Sequence, residues 1–277
     1  MHVLLSHWQF DPPLVAILTA AVVYGLGMRR SALSHRARVR AGWFGAGLLV
    51  LVVALASPIA AYDDTLFWAH MLQHVLLLTV APPLLLLGRP GAVSWRALPL
   101  DTRRVGARAI AHSPSWAPLR AIVRLLMAPR VALGLFVGTM AAWHIPALYD
   151  ATLRSTGIHD LEHVLFLVTG LAFWACLIDS PPVWSHLTLP ARAGYATVAM
   201  LACWVLAVVL GFATTPLYAY AESAPGGLPA IGDQHIAAGI MWVPGSLPFV
   251  VAAVFFGYRW LDAEAKGRAR SVMGTAR

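Results

Sequence analysis

The stretch LFWAHMLQHVLLLTVAPPLLLLG, residues 66–88, contains no aspartate, glutamate, lysine or arginine, yet carries His70, Gln73 and His74 in its first half. At about 1.5 Å per residue, a helix of this length crosses the roughly 30 Å of a bilayer's hydrocarbon core. It reads as a membrane span. His70 and His74 project from one helix face, where two imidazoles can grip one metal ion, and hydrocarbon disfavours polar side chains without partners. The same spacing returns at His159 and His163, at the start of another apolar run.

Composition places the whole chain in the same class. Of 277 residues, 59% are apolar and 12% charged, and the mean hydropathy is +0.71. A soluble protein of this length needs a large charged surface, and no stretch supplies one. We therefore expect an all-α integral membrane protein, a bundle of seven transmembrane helices in one domain over 1–277. The spans are expected near residues 12–28, 42–61, 66–88, 130–147, 159–179, 194–214 and 233–257. Prolines 58, 82, 83, 146, 244 and 248 should kink or end these helices. The first span has no basic stretch before it and is followed by Arg29 and Arg30, so it reads as a retained helix. Cys176 and Cys203 lie in apolar runs at different expected depths and read as buried thiols.

Basic residues give the orientation. Arg29, Arg30, Arg36, Arg38 and Arg40 follow the first span, and eight arginines run from Arg89 to Arg130 after the third. Both loops are expected in the cytoplasm, which puts the N-terminus outside and the C-terminus inside. Asp11, Asp63, Asp64, Asp150, Asp160, Glu162, Glu222 and Asp233 then gather on the outer side. The net charge of +8 thus reads as topology and contact with the lipid bilayer, with no nucleic-acid partner. Residues 101–127 mix arginines with Val105, Ile110, Leu119, Ile122 and Val123, as expected of one or two cytoplasmic interfacial helices broken at Pro114 and Pro118.

On this topology His70, His74, His144, His159, His163 and His235 share one depth near the outer surface. A lone histidine at a helix end is ordinarily an interfacial side chain, and a pair can also serve helix packing. Six from four helices point instead to metal. Imidazole suits copper, zinc, iron or nickel, and the thioether of Met71 favours Cu(I). Gln73, Asp160, Glu162 and Asp233 are close enough in sequence to orient ligand rings from a second layer. Haem held by two axial histidines is the rival reading. No glutamate follows His70 or His159 as a metalloprotease would need, and no enzymatic turnover is expected.

His70-Met71-Leu72-Gln73-His74, with the apolar run to Ala81-Pro82-Pro83-Leu84-Leu85, resembles the signature of the caa3-type cytochrome c oxidase assembly factor family, CtaG, in its seven-span form. Trp143-His144-Ile145-Pro146 with Tyr149-Asp150, the run from His159 to His163, and Asp233-Gln234-His235 with Gly239, Met241 and Trp242 are similar as well. So are Trp8, Phe10, Asp11 and Pro12. The resemblance implies a multi-pass protein of the bacterial plasma (inner) membrane that helps mature haem-copper oxidases by assisting copper delivery to the CuB centre. Its implied partners are cytochrome c oxidase subunit I and a periplasmic copper carrier. A homo-oligomer, a haem or electron-transfer protein, and a metal-free scaffold stay open.

Overall fold

The computed structural model describes residues 12–31, 34–220, 223–224 and 227–275. His2, His7, Trp8, Phe10, Asp11 and Glu222 lie outside the described residues. The helices are α1 (Pro12–Arg29), α2 (His35–Ala56), α3 (Phe67–Val75), α4 (Ala81–Leu87), α5 (Pro90–Ser94), α6 (Leu100–His112), α7 (Ala117–Leu126), α8 (Pro129–Trp143), α9 (Pro146–Arg154), α10 (Thr156–Ala175), α11 (Leu189–Phe212), α12 (Ala230–Trp242) and α13 (Leu247–Thr275). A π-helical segment, Leu76–Val80, joins α3 to α4 without a break. Two-residue strands β1 (Ser223–Ala224) and β2 (Leu228–Pro229) pair antiparallel, a small departure from the all-α expectation.

Among the described residues, five helices are long and apolar enough to cross a membrane, or six if the segments Pro114–Leu126 and Pro129–Trp143, bent by 74°, form one span. Every expected span falls on a helix, but the ends move for local reasons. α2 begins earlier, at His35, because Ser34 caps it by accepting from the Ala37 N–H. It stops at Ala56, where Ser57 turns extended ahead of Pro58. α8 stops at Trp143 because Pro146 holds Ile145 out of the helical region and opens α9. The segment 101–127 breaks at Pro114 alone, since Pro118 sits in the first turn of α7, where a missing N–H costs nothing. No residue of α6 or α7 is buried.

α3 needs a partner for its first N–H groups, because Leu66 precedes it and supplies no capping oxygen. Asp233, buried on α12, does so from across the bundle: it accepts from Phe67 N at 2.8 Å and from Trp68 N at 2.9 Å. Gln234 beside it accepts from Leu217 N and donates to the Leu210 carbonyl. The sequence expects Asp233 to orient metal ligands; its side chain fixes the start of α3 instead. Replacing Asp233 by Ala strands two N–H groups and should cost about 2–3 kcal/mol, with Asn costing less, read as thermal unfolding in detergent. Equal behaviour of the two variants would count against the cap.

The α10–α11 connection is pinned by Arg192, which donates to both Asp179 oxygens at 3.1 Å and to the Leu177 and Leu187 carbonyls. Partial burial pushes the Asp179 carboxyl up, but the hydrogen bonds from Arg192 and from the Ser185 N–H outweigh it and hold the group below its usual 3.8. A depressed carboxyl stabilises the fold above its unfolded value and loses that contribution as pH falls through the folded one. Asp179→Asn should therefore cost about 1 kcal/mol or less at pH 7, and the difference should close in acid. A gap in unfolding temperature that persists at low pH would contradict this.

Candidate metal centre

α3 and α10 bring the two histidine pairs face to face. What lets them approach is the backbone of the π segment. The Leu78 carbonyl has no helical donor four or five residues on, because Pro82 and Pro83 occupy those positions, and it accepts from Trp174 Nε1 of α10 at 3.2 Å instead. One turn earlier on α10, Gly170 presents no side chain to the same carbonyl; a Cβ there would lie 2.8 Å from it. A π segment next to a cluster of polar side chains is a common mark of function.

The result is a compact group of rings. Centroids lie 4.4 Å apart for His70 and His74, 4.1 Å for His159 and His163, 4.9 Å for His70 and His159, and 5.8 Å for His74 and His163. Glu162, with no exposed surface, enters between the α3 pair. Its Oε2 stands 3.2 Å from His70 Nε2 and its Oε1 stands 3.4 Å from His74 Nε2. Two sets of ligand atoms each fit within 4.8 Å, His70 with His159 and His163, and His70 with His74 and Glu162. His70 belongs to both.

Several of these atoms make no hydrogen bond. His74 Nδ1 and Nε2, His159 Nε2, His163 Nε2 and Glu162 Oε1 are all buried without a hydrogen-bond partner. Each such atom ordinarily costs about 1–3 kcal/mol, and native interiors tolerate few. The four residues that carry them are divided between the two ligand sets, where one atom of each can serve a metal cation.

The surroundings complete the site. Tyr220 donates to the Asp63 carbonyl at 3.0 Å and meets the Tyr149 hydroxyl at 2.8 Å and His70 Nδ1 at 3.3 Å. Asp63 approaches His159 Nε2 at 3.7 Å, at the more exposed rim where the His159 side chain is 17% accessible. Burial pushes the Asp63 carboxyl above its ordinary value, and the His159 ring pulls it back. The sequence counts Asp63 only among acidic outer residues, and neither tyrosine among site residues. The nearest hint is that Asp63 lies one loop before His70 at the same expected depth.

The other expected members divide. His144, capping α8, joins the edge of the group, with its ring 6.0 Å from that of His74, and its Nε2 lies 3.3 Å from Met71 Sδ. Gln73 donates to the Ala54 carbonyl of α2. Asp160 is exposed. His235 is exposed as well and faces the Ala213 carbonyl at 3.1 Å. Among the described residues it joins neither ligand set. The α12 face that buries Asp233 and Gln234 turns His235 outward.

The family model described as cytochrome c oxidase caa3 assembly factor matches residues 22–263. Uncharacterized proteins of Mycobacterium bovis and Mycobacterium tuberculosis are each 28% identical over 275 residues, covering 96% of this chain and 41% of theirs. One of Mycobacterium leprae is 26% identical over 265 residues, 91% of this chain and 39% of its own. The chain thus spans about two fifths of the curated relatives it matches. No solved structure matches it.

Gly170→Ala should push the π segment and the start of α4 away from α10 and destabilise the protein by about 1–3 kcal/mol, the range for forced overpacking. Gly138→Ala, where a Cβ meets nothing within 4 Å, should be neutral or stabilising by about 0.5–1 kcal/mol. Unfolding temperatures measured side by side decide it; matching shifts would remove the close approach from the explanation.

Proposed function

Because the chain belongs to the cytochrome c oxidase caa3 assembly factor family, we propose that it assists maturation of haem-copper oxidase by holding copper between α3 and α10 and passing it toward the CuB centre. The observation that carries this reading is the set of unpartnered buried atoms on His74, His159, Glu162 and His163. A cation held in either ligand set gives a partner to the atoms that set contributes. Copper is cargo here, and no chemical turnover is part of the role.

The ligand sets favour exchange. His70 is common to both, so an ion can leave His159 and His163 for His74 and Glu162 without losing every ligand at once. Asp63 and His159 stand nearest the surface and suit first contact with copper brought by a periplasmic carrier; subunit I of the oxidase is the proposed receiver. Space favours an ion over haem. Phe166 and Tyr149 pack against His74 and His70 with ring centroids 4.3 and 5.0 Å apart, which crowds the room a macrocycle needs. We place the protein in the bacterial plasma membrane, with seven spans, the histidines near the outer surface and the arginine-rich loops inside. In that arrangement α1 and the bent α7–α8 segment supply the two spans beyond the five long apolar helices.

The detergent-purified protein should carry copper and show no Soret absorption. Replacing His70 and His74 together by Ala, or Glu162 by Gln, should weaken copper binding by about 10–100-fold. Elemental analysis of the variants beside the wild type reads this directly, and copper content unchanged by either substitution would defeat the assignment.

A further inference from the structure

The donor set changes character with depth. His159 and Asp63 lie at the rim, the His70–Glu162–His74 set is buried, and beyond His74 the available donors are imidazole and sulfur. His144 marks the change. Its Nδ1 lies 2.7 Å from the Met140 carbonyl, which can only accept, so in the neutral ring Nδ1 carries the proton and Nε2 presents a lone pair. That lone pair meets Met71 Sδ at 3.3 Å. Two donors of electron density therefore face one another in a buried position with no proton between them, and a cation would relieve the repulsion.

Next to this pair is a cavity of about 30 Å³ lined by His74, His144, Met140, Met241, Cys203 and Phe166. It is large enough for one ion, and water would find few partners among its mostly apolar walls. Met71 and Met241 pack in one cluster beside it, both nearly inaccessible. Thioether, thiol and neutral imidazole are soft or borderline donors without charge, and soft donors select Cu(I) among biological metals.

We infer that His144 and Met71, with the cavity beside them to which Met140, Met241 and Cys203 contribute walls, form a second and softer metal site, specific for a monovalent soft cation such as Cu(I). The divalent-compatible histidine–glutamate set lies above it, and His74 touches both. An ion moving inward exchanges nitrogen and oxygen ligands for nitrogen and sulfur. The identity of the cargo as copper rests on the function proposed above; the site itself uses different residues and stands or falls separately.

Ag(I), a redox-inert analogue of Cu(I), and Zn(II) separate the two. Purified full-length protein grown with selenomethionine and loaded with Ag(I) should show selenium in the silver coordination shell by X-ray absorption, with no substitution made. Met71→Leu, which conserves volume, should reduce retained Ag(I) severalfold and weaken the selenium signal while leaving Zn(II) retention unchanged. Glu162→Gln should do the reverse. Silver bound without selenium neighbours, or a coordination shell indifferent to Met71→Leu, would overturn the soft site. Loss of Ag(I) and Zn(II) together on Met71→Leu would overturn its separateness. Selenium-coordinated silver in a protein that retains no Zn(II) at all would support this site while removing the histidine–glutamate one.

Discussion

A carboxyl group without exposed surface sits between two imidazoles that are themselves almost wholly buried. Glu162 is the constraint around which the histidine end of the bundle is organised. In so apolar a setting an ionised carboxylate needs a cation or several donors; His70 Nε2 reaches Oε2 at 3.2 Å, and Oε1 has no hydrogen-bond partner. The bundle packs rigid aromatic side chains around that group. His74 lies against Phe166, and His70 against Tyr149, with ring centroids 4.3 and 5.0 Å apart. These belong to two apolar clusters that meet at the site. Rings held from both sides have little freedom to turn toward other partners, so the unsatisfied atoms stay aimed at one another.

The long-range supports serve the same end. Asp233 fixes where α3 begins, Tyr220 holds His70 and the Asp63 loop together, and the Tyr218 hydroxyl donates to the His144 carbonyl at 3.0 Å. Trp174 binds the carbonyl that Pro82 and Pro83 leave open. Each contact joins segments far apart in sequence. Together they hold the candidate ligands on rigid helices, a condition for selective metal binding.

Much of this is legible in the sequence, and the exceptions have geometric causes. Four-residue spacing on α3 and α10 announces both pairs, because that period is intrinsic to a helix. The same rule, applied strictly, separates Glu162 from Asp160: Glu162 stands three residues after His159 and shares its face, whereas Asp160 stands one residue on and points away. It also allows Met71, three residues before His74, to turn toward His144. Asp233 and His235 mislead because nearness along the chain says nothing of which helix face meets the site. Pro82 and Pro83 announce a disturbance in this helix, but a π segment and the approach at Gly170 cannot be read from the run of leucines before them. The family resemblance is borne out by the match over residues 22–263. The count of spans is less legible, since Pro146 shortens α8 and a 74° bend separates it from the segment before.

The proposed copper centre is tested most directly by copper K-edge X-ray absorption on the purified, copper-loaded wild-type protein. Buried coordination by the α3 and α10 side chains predicts multiple scattering from at least two imidazoles. A spectrum without imidazole scattering, or a protein that retains no copper after desalting, would contradict it.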